Sequence, residues 1–231
     1  MTKSGQYYCA NEDSNVVRVF VVRHGQTDHN VQKILQGHKD IPLNITGYQQ
    51  AQKLGTYLKE NEYFFDKIVS SDLIRCKETI STILKTEGRT DDVPVEYHCE
   101  LRERFMGVIE GMHISEAEAY ADKFGKGSFR EFGEPENEFM DRLIGQIQKS
   151  IDSAVTSKKR NMGLISHGGS IRTILKWLNY DPENSHKIIV FNTSVTILDY
   201  VIDEKKIVVR DVGNTKHLGN GEFVVSDLRL R

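Results

Sequence analysis

The chain has 231 residues, with 31 Lys and Arg against 33 Asp and Glu, for a net charge of −2. A chain of this length is one large domain or two small ones, and it buries about 70–75% of its unfolded surface, so it needs no disulfide or metal staple. A composition of 38% hydrophobic and 28% charged residues excludes a disordered chain, and the lack of a basic surplus argues against a general nucleic-acid binder.

Residues 1–15 are polar and read as a flexible N-terminal arm, with neither the apolar core of a signal peptide nor the Arg-rich pattern of a transit peptide. Val16 to Val22 is an apolar run broken once by Arg18, a buried strand that ends in Arg23-His24-Gly25-Gln26-Thr27. Asn44 or Thr46 is placed to cap a helix from about Gly47 to Asn61, with Ala51, Leu54 and Leu58 on one face. Lys67 to Ser71 is a second strand. Asp72 is placed as the N-cap of the next helix, whose apolar positions are Leu73, Cys76, Ile80, Ile83 and Leu84. Val93 to Tyr97 reads as a third strand, and Ser115 to Phe124 and Glu136 to Thr156 as helices. Met162 to Ser166 is another buried strand, Ser170 to Leu178 another helix. Ile188 to Phe191, Val195 to Val201 and Lys206 to Val212 complete the strands.

Strand and helix alternate over most of the length, which predicts one α/β domain from residue 16 to residue 231. A mainly parallel sheet with helices on both faces is expected. No run approaches 18 apolar residues, so no membrane-spanning helix is expected. Cys9, Cys76 and Cys99 are odd in number and irregularly spaced, which fits a reducing, cytoplasmic setting, with nuclear access open.

His24 follows the first strand by two residues, and His167 directly follows the strand ending at Ser166; each is followed by glycine. Ligand sites in open α/β sheets form at the carboxyl ends of strands, so the matched pair points to one shared site. Arg23 continues an apolar strand and is expected to be buried, where a guanidinium needs an anionic partner, and phosphate suits its planar fork. Arg75, Arg102 and Arg104 lie near other strand ends, although any single arginine is most simply a surface charge.

Arg23-His24-Gly25-Gln26-Thr27, followed by Asn30, resembles the signature of the histidine phosphatase superfamily, also called phosphoglycerate-mutase-like. Five further blocks follow in the family's order. They are Gln36-Gly37 with Asp40, Pro42-Leu43 and Thr46-Gly47; Ser70-Ser71-Asp72-Leu73-x-Arg75-Cys76-x-x-Thr79; and Leu101-x-Glu103-x-x-x-Gly107-x-x-Glu110-Gly111. Gly133-Glu134 with Arg142, and Ser166-His167-Gly168-Gly169, complete them. Phe191 to Thr196 and the segment from Gly213 to Arg231 are similar to a fungal subgroup of broad-specificity phosphatases.

The resemblance implies that His24 is a nucleophile attacking phosphorus, and that Arg23, Arg75 and His167, with Asn30 as a neutral donor, form the phosphate pocket. Gln36, Gly37, Arg104 and Gly168 are further candidate substrate-binding positions. Phosphoryl transfer depends above all on positioning and charge neutralisation, which such side chains supply. No cofactor or metal is implied, and the sequence contains no HExxH, no paired Cys/His ligand set and no EF-hand loop. Glu103 falls at the family's general-acid position. Asp72, Glu100, Glu110 and Glu116 are rivals by residue type alone; Glu110 matches a structural Glu-Gly pair.

His29 neighbours the motif and is expected only to line it, whereas His38, His98, His113, His186 and His217 are expected to be surface or structural histidines. Phe129, Arg130 and Phe132 are expected to form a partly apolar rim. The expected activity is a phosphatase acting on small phosphorylated molecules through phospho-His24. A phosphoglycerate mutase or a specific sugar bisphosphatase is the alternative, and a non-catalytic phospho-ligand-binding module a third. Only 56 positions separate Gly111 from His167, which leaves no room for the long basic insertion of the cofactor-dependent mutases.

Overall fold

Eight consecutive buried residues, Val16–Arg23, form strand β1. An apolar run with no solvent face needs cover on both sides. In the computed structural model, which describes residues 7–183 and 188–219, β1 lies inside a six-stranded sheet. It pairs in parallel with β4 (Asn161–Ser166) and antiparallel with β5 (Val195–Val201). Beyond β4 lie β2 (Lys67–Ser71) and then β3 (Val95–His98), both parallel to it, while β6 (Lys206–Asn214) pairs antiparallel with β5. The order is β3-β2-β4-β1-β5-β6.

Side chains alternate across β1. Phe20 and Val22 face helices α2 (Ile45–Glu60) and α3 (Ile74–Glu87), whose Leu54, Leu58, Ile80 and Ile83 complete one core. Val19 and Val21 face α5 (Glu136–Thr156) and α6 (Gly168–Trp177), whose Phe139, Leu143, Ile147 and Ile171 complete the other. A smaller cluster of Leu35, Ile109, Ala117, Ala121 and Phe129 sits under α4 (Ile114–Lys123), which follows the single-turn helix α1 (Asp28–Val31) in the chain. The α/β architecture with a mainly parallel sheet and helices on both faces is the expected one. No helix among the described residues is long and apolar enough to cross a membrane.

Several local expectations change. Asp72 does not cap α3: Leu73 occupies the N-cap without a side-chain bond, and the Ile74 N–H donates to Asp40 Oδ1 at 2.6 Å instead. Asp72 is drawn away by Arg102, which bonds both its carboxylate oxygens at 2.7 and 2.6 Å. Asn44, rather than Thr46, caps α2 through the Gly47 N–H. Ile188 to Phe191 is not a strand. Its polar backbone is needed elsewhere, since the Val190 carbonyl accepts from Arg23 Nη1 at 2.6 Å. Phe129 and Arg130 line the cavity as expected, Phe129 from within the cluster under α4 at 2% exposed, whereas Phe132 does not line it. His186 and the chain end from 220 to 231 lie outside the described residues.

The arm expected over residues 1–15 is packed where it is described. Tyr8 is 4% exposed, stacks on Tyr57 at 4.8 Å between ring centroids, and bonds His217 Nδ1 at 3.0 Å. Asn11 ties the segment to the sheet: its N–H donates to Asn161 Oδ1 at 2.7 Å and its amide to the Val16 carbonyl at 2.8 Å. Tyr8→Ala should therefore cost about 3 kcal/mol, the scale of aromatic truncation in a core. The check is the urea midpoint at unchanged slope; a midpoint equal to wild type would show an unattached arm.

Candidate active site

The site follows from strand register. Arg23 pairs with Ser166 across the parallel β1–β4 ladder, so the next residues, His24 and His167, leave the sheet side by side. Their ring centroids are 5.3 Å apart, and the His24 N–H donates to the Ser166 carbonyl at 3.0 Å. β2 ends beside them and leads into α3, which presents Arg75. β3 ends at His98 and leads through a 3-10 turn to Glu103. All four parallel strands thus deliver groups to one cavity of about 740 Å³, within the usual range for small-molecule sites.

Glycine permits the tight exit after His24. A Cβ on Gly25 would lie 2.6 Å from the Gly47 carbonyl oxygen, so the motif loop seats directly on the start of α2. The Gly25 N–H donates to Thr79 Oγ1 at 2.9 Å and the Gln26 N–H to Gln50 Oε1 at 2.9 Å, fixing the loop against α3 and α2.

The hydrogen bonds assign both imidazole tautomers. His24 Nδ1 lies 2.7 Å from the Gly25 carbonyl, which only accepts, so Nδ1 carries the proton and Nε2 keeps its lone pair. His167 Nδ1 receives Arg75 Nε at 3.2 Å; a guanidinium only donates, so the His167 proton sits on Nε2, 2.9 Å from Ser71 Oγ. Burial and the nearby charges of Arg75 and Arg23 push His24 well below the ordinary imidazole range. Burial, Arg75 and His24 do the same to His167.

Arg75 is 1% exposed, and the groups it bonds are neutral: the carbonyls of Lys39 and Gly37, each at 2.9 Å, and His167. A buried cation held by carbonyls keeps its charge available to an anion. Arg23 is 3% exposed beside it. Asn30, 8% exposed, accepts from Asn192 Nδ2 at 3.2 Å, and the same amide donates to the His24 carbonyl at 3.0 Å.

Glu103 is the one carboxylate among the five sequence candidates that lines the cavity. Its Oε1 accepts the Arg104 N–H at 2.9 Å and its Oε2 the Gly169 N–H at 2.7 Å, at the start of α6. A Cβ on Gly169 would come within 2.3 Å of Glu103 Oε1, so glycine allows this approach. The rivals are engaged elsewhere. Asp72 is held below the usual carboxylate range by its bonds to Arg102, Glu110 Oε1 accepts the N–H groups of His38 and Met106, and Glu116 caps α4. Glu100 lies outside the cavity wall. Glu136, which the sequence did not suggest, also lines the cavity and is ion-paired with Lys176 at 2.5 Å.

Gln36, Gly37, Arg104, Gly168 and His29 line the cavity as well. Arg104 is committed to backbone, donating to the carbonyls of Glu134, Arg130 and Phe132 at 2.7, 2.7 and 2.8 Å. Gly37 adopts φ +49°, and its carbonyl serves Arg75. His38 is structural: its Nε2 donates to the Glu103 carbonyl at 2.8 Å. Asn192, to which the sequence reading gave no role, supports the site from behind through its amide bonds to the His24 carbonyl and Asn30. Burial pushes the Cys76 thiol, beside His167, up to about 12, which leaves it protonated and inert. Among the described residues no cluster of three or more His, Cys, Asp or Glu is arranged to hold a metal ion.

The model of the histidine phosphatase superfamily (branch 1) matches residues 19–214. The chain is 58% identical over 231 residues to a broad-specificity phosphatase of Saccharomyces cerevisiae, covering 100% of both chains. A phosphoglycerate mutase from Bacillus anthracis superposes with a TM-score of 0.78 at 29% identity, covering 89% of this chain and 96% of that one. A phosphoserine phosphatase mutant from Entamoeba histolytica, in complex with phosphoserine, superposes with a TM-score of 0.69 at 27% identity, covering 87% and 99%.

The depressed histidines have a definite pH consequence. At pH 6, nitrogen-detected NMR should show neutral His24 protonated on Nδ1 and neutral His167 protonated on Nε2; an imidazolium at either position would contradict the geometry. As pH falls below about 6.5, the unfolded chain takes up protons that folded His24 and His167 refuse. Stability should therefore decrease toward acid, with each site contributing up to about 1.4 kcal/mol per pH unit until its folded form titrates.

Proposed function

Since this chain belongs to the histidine phosphatase superfamily, we propose that its cavity hydrolyses small phosphate monoesters with His24 as the covalent nucleophile. It is a broad-specificity phosphatase. The observation that carries the mechanism is the His24 tautomer: the Gly25 carbonyl holds the proton on Nδ1, leaving the Nε2 lone pair in a pocket with two buried guanidinium groups.

In the first half-reaction His24 Nε2 forms a bond to phosphorus while the ester P–O bond breaks. Glu103 gives its proton to the departing oxygen, so the product leaves as a neutral alcohol. Arg23 and Arg75 balance charge on the phosphoryl oxygens, the dominant demand of this chemistry. His167 stands beside the nucleophile with Arg75 fixed on its Nδ1. In the second half-reaction Glu103 takes a proton from water, the water oxygen bonds to phosphorus, and the N–P bond breaks. Inorganic phosphate leaves, and His24 and Glu103 regain their starting states. The proton stays on Nδ1, hydrogen-bonded to the Gly25 carbonyl, throughout.

A cavity of about 740 Å³ holds far more than one phosphoryl group, and its wall mixes apolar Met106, Ile114 and Phe129 with charged Lys33, Arg130 and Lys176. That mixture supports varied leaving groups. Between Gly111 and His167 the chain is occupied by α4, a 3-10 turn at Phe129–Glu131, α5 and β4, with no basic insertion of the mutase kind. The odd number of cysteines at unrelated spacings supports a reducing, cytoplasmic setting.

His24→Ala should abolish turnover of p-nitrophenyl phosphate in buffer containing EDTA, where the wild-type protein remains active. Near-normal activity in the variant would reject the covalent route. Glu103→Gln should lower kcat/KM on an alkyl phosphate by about 10²–10⁴, the range of general acid catalysis. The aryl ester should lose far less, because p-nitrophenolate departs unprotonated, and a burst of p-nitrophenol should precede slow turnover. Equal losses on both substrates, with no burst, would make Glu103 a purely structural carboxylate.

A further inference from the structure

The nucleophile and the phosphate pocket are set by strand register, but Glu103 is not. It lies past the end of β3, on a stretch with no ladder bonds of its own. Arg142, on α5, takes the place of that ladder. Its Nη1 donates to the carbonyls of Glu100 at 2.7 Å and Arg102 at 3.0 Å, and its Nη2 donates to the Glu103 carbonyl at 2.9 Å. The same guanidinium forms a two-point ion pair with Glu134, at 2.5 and 2.8 Å.

Glu134 grips the other side of Glu103. Its Oε2 accepts the Phe105 N–H at 3.2 Å, and its own N–H donates to the Phe105 carbonyl at 2.8 Å. The backbone is therefore clamped at 100, 102 and 103 by Arg142 and at 105 by Glu134. Arg142 is anchored in turn: its guanidinium lies 4.9 Å from the centroid of the Phe139 ring, which is 1% exposed in the core under the sheet. Five donors in a planar fork are needed to meet three carbonyls and a carboxylate at once, and a lysine ammonium cannot reproduce that geometry.

We propose that Arg142, locked by Glu134, is the positioning residue that aims the Glu103 carboxyl at the leaving-group oxygen. This rests on the reading of Glu103 as general acid. Arg142 does not line the cavity and touches no reacting atom. Its effect is confined to the half of the site that handles the leaving group, because Arg23, His24, Arg75 and His167 are held by other bonds.

The test uses the full chain with Arg142→Lys and, as a second variant, Glu134→Gln. kcat/KM is measured on an alkyl phosphate and on p-nitrophenyl phosphate, alone and in the Glu103→Gln background. Loss of aim by about 1 Å is worth about 10² in rate, so Arg142→Lys should lose about 100-fold on the alkyl ester. The loss on the aryl ester should be at least about tenfold smaller, since that ester needs no proton. In the Glu103→Gln background, Arg142→Lys should add little further loss on the alkyl ester, because there is no carboxyl left to aim. Glu134→Gln should show the same selectivity.

Equal losses on both esters, or a full loss persisting without the Glu103 carboxyl, would overturn the positioning role while leaving Glu103 as the acid. Failure of Glu103→Gln itself to discriminate between the esters would overturn the acid assignment and the Arg142 proposal with it. If Arg142→Lys does not fold, the Glu134→Gln series decides by the same criteria.

Discussion

The parallel pairing of β1 with β4 is the constraint on which the site depends. Because Arg23 lies opposite Ser166, two imidazoles emerge together at the carboxyl ends of adjacent strands. A shift of one residue would turn every β1 side chain to the opposite face, placing Phe20 and Val22 where Val19 and Val21 now pack. The two cores on either side of β1 therefore guard the position of His24. Catalytic geometry and core packing are fixed by the same ladder.

Concentrated positive charge follows from that arrangement. Arg23 and Arg75 are buried beside both histidines; Arg75 is held by two carbonyls and a ring nitrogen, and Arg23 donates to the Val190 carbonyl. Burial, together with their field, keeps the imidazoles neutral, which preserves the lone pair of the proposed nucleophile, and the concentrated positive charge suits an anion. The proposed acid is delivered differently. Glu103 reaches the cavity on irregular backbone that is fastened by α5 from behind and by the Gly169 N–H in front. The two halves of the chemistry thus rest on separate scaffolds, one a sheet and one a clamp of side chains.

Much of this was legible in the residues. The apolar runs at Val16 to Val22 and Met162 to Ser166 showed two buried strands, and the imidazole–glycine exits pointed to the cavity that His24 and His167 line. The helix over Glu136–Thr156 and the strand over Val195–Val201 agree with their apolar spacing residue for residue. What stayed hidden depended on partners distant in sequence. Asp72 has the local chemistry of a cap, but Arg102, thirty residues on, competes for it. Tyr8 sits in a polar stretch, and only the facing Tyr57 and His217 give it a core position. Ile188 to Phe191 has strand composition, yet its backbone serves Arg23. Arg142 was visible as part of a motif, but the three carbonyls it gathers carry no sequence signal at all.

The central claim is that one nitrogen of one histidine carries the phosphoryl group. Rapid mixing with a phosphorylated substrate, followed by quenching into alkali and phosphorus NMR of the trapped protein, tests it most directly, since the two phosphohistidine isomers resonate apart. The proposed mechanism predicts a single phosphohistidine, at Nε2 of His24, because Nδ1 is occupied by its bond to the Gly25 carbonyl. A phosphoryl group on Nδ1, on His167, or on no histidine at all would contradict it.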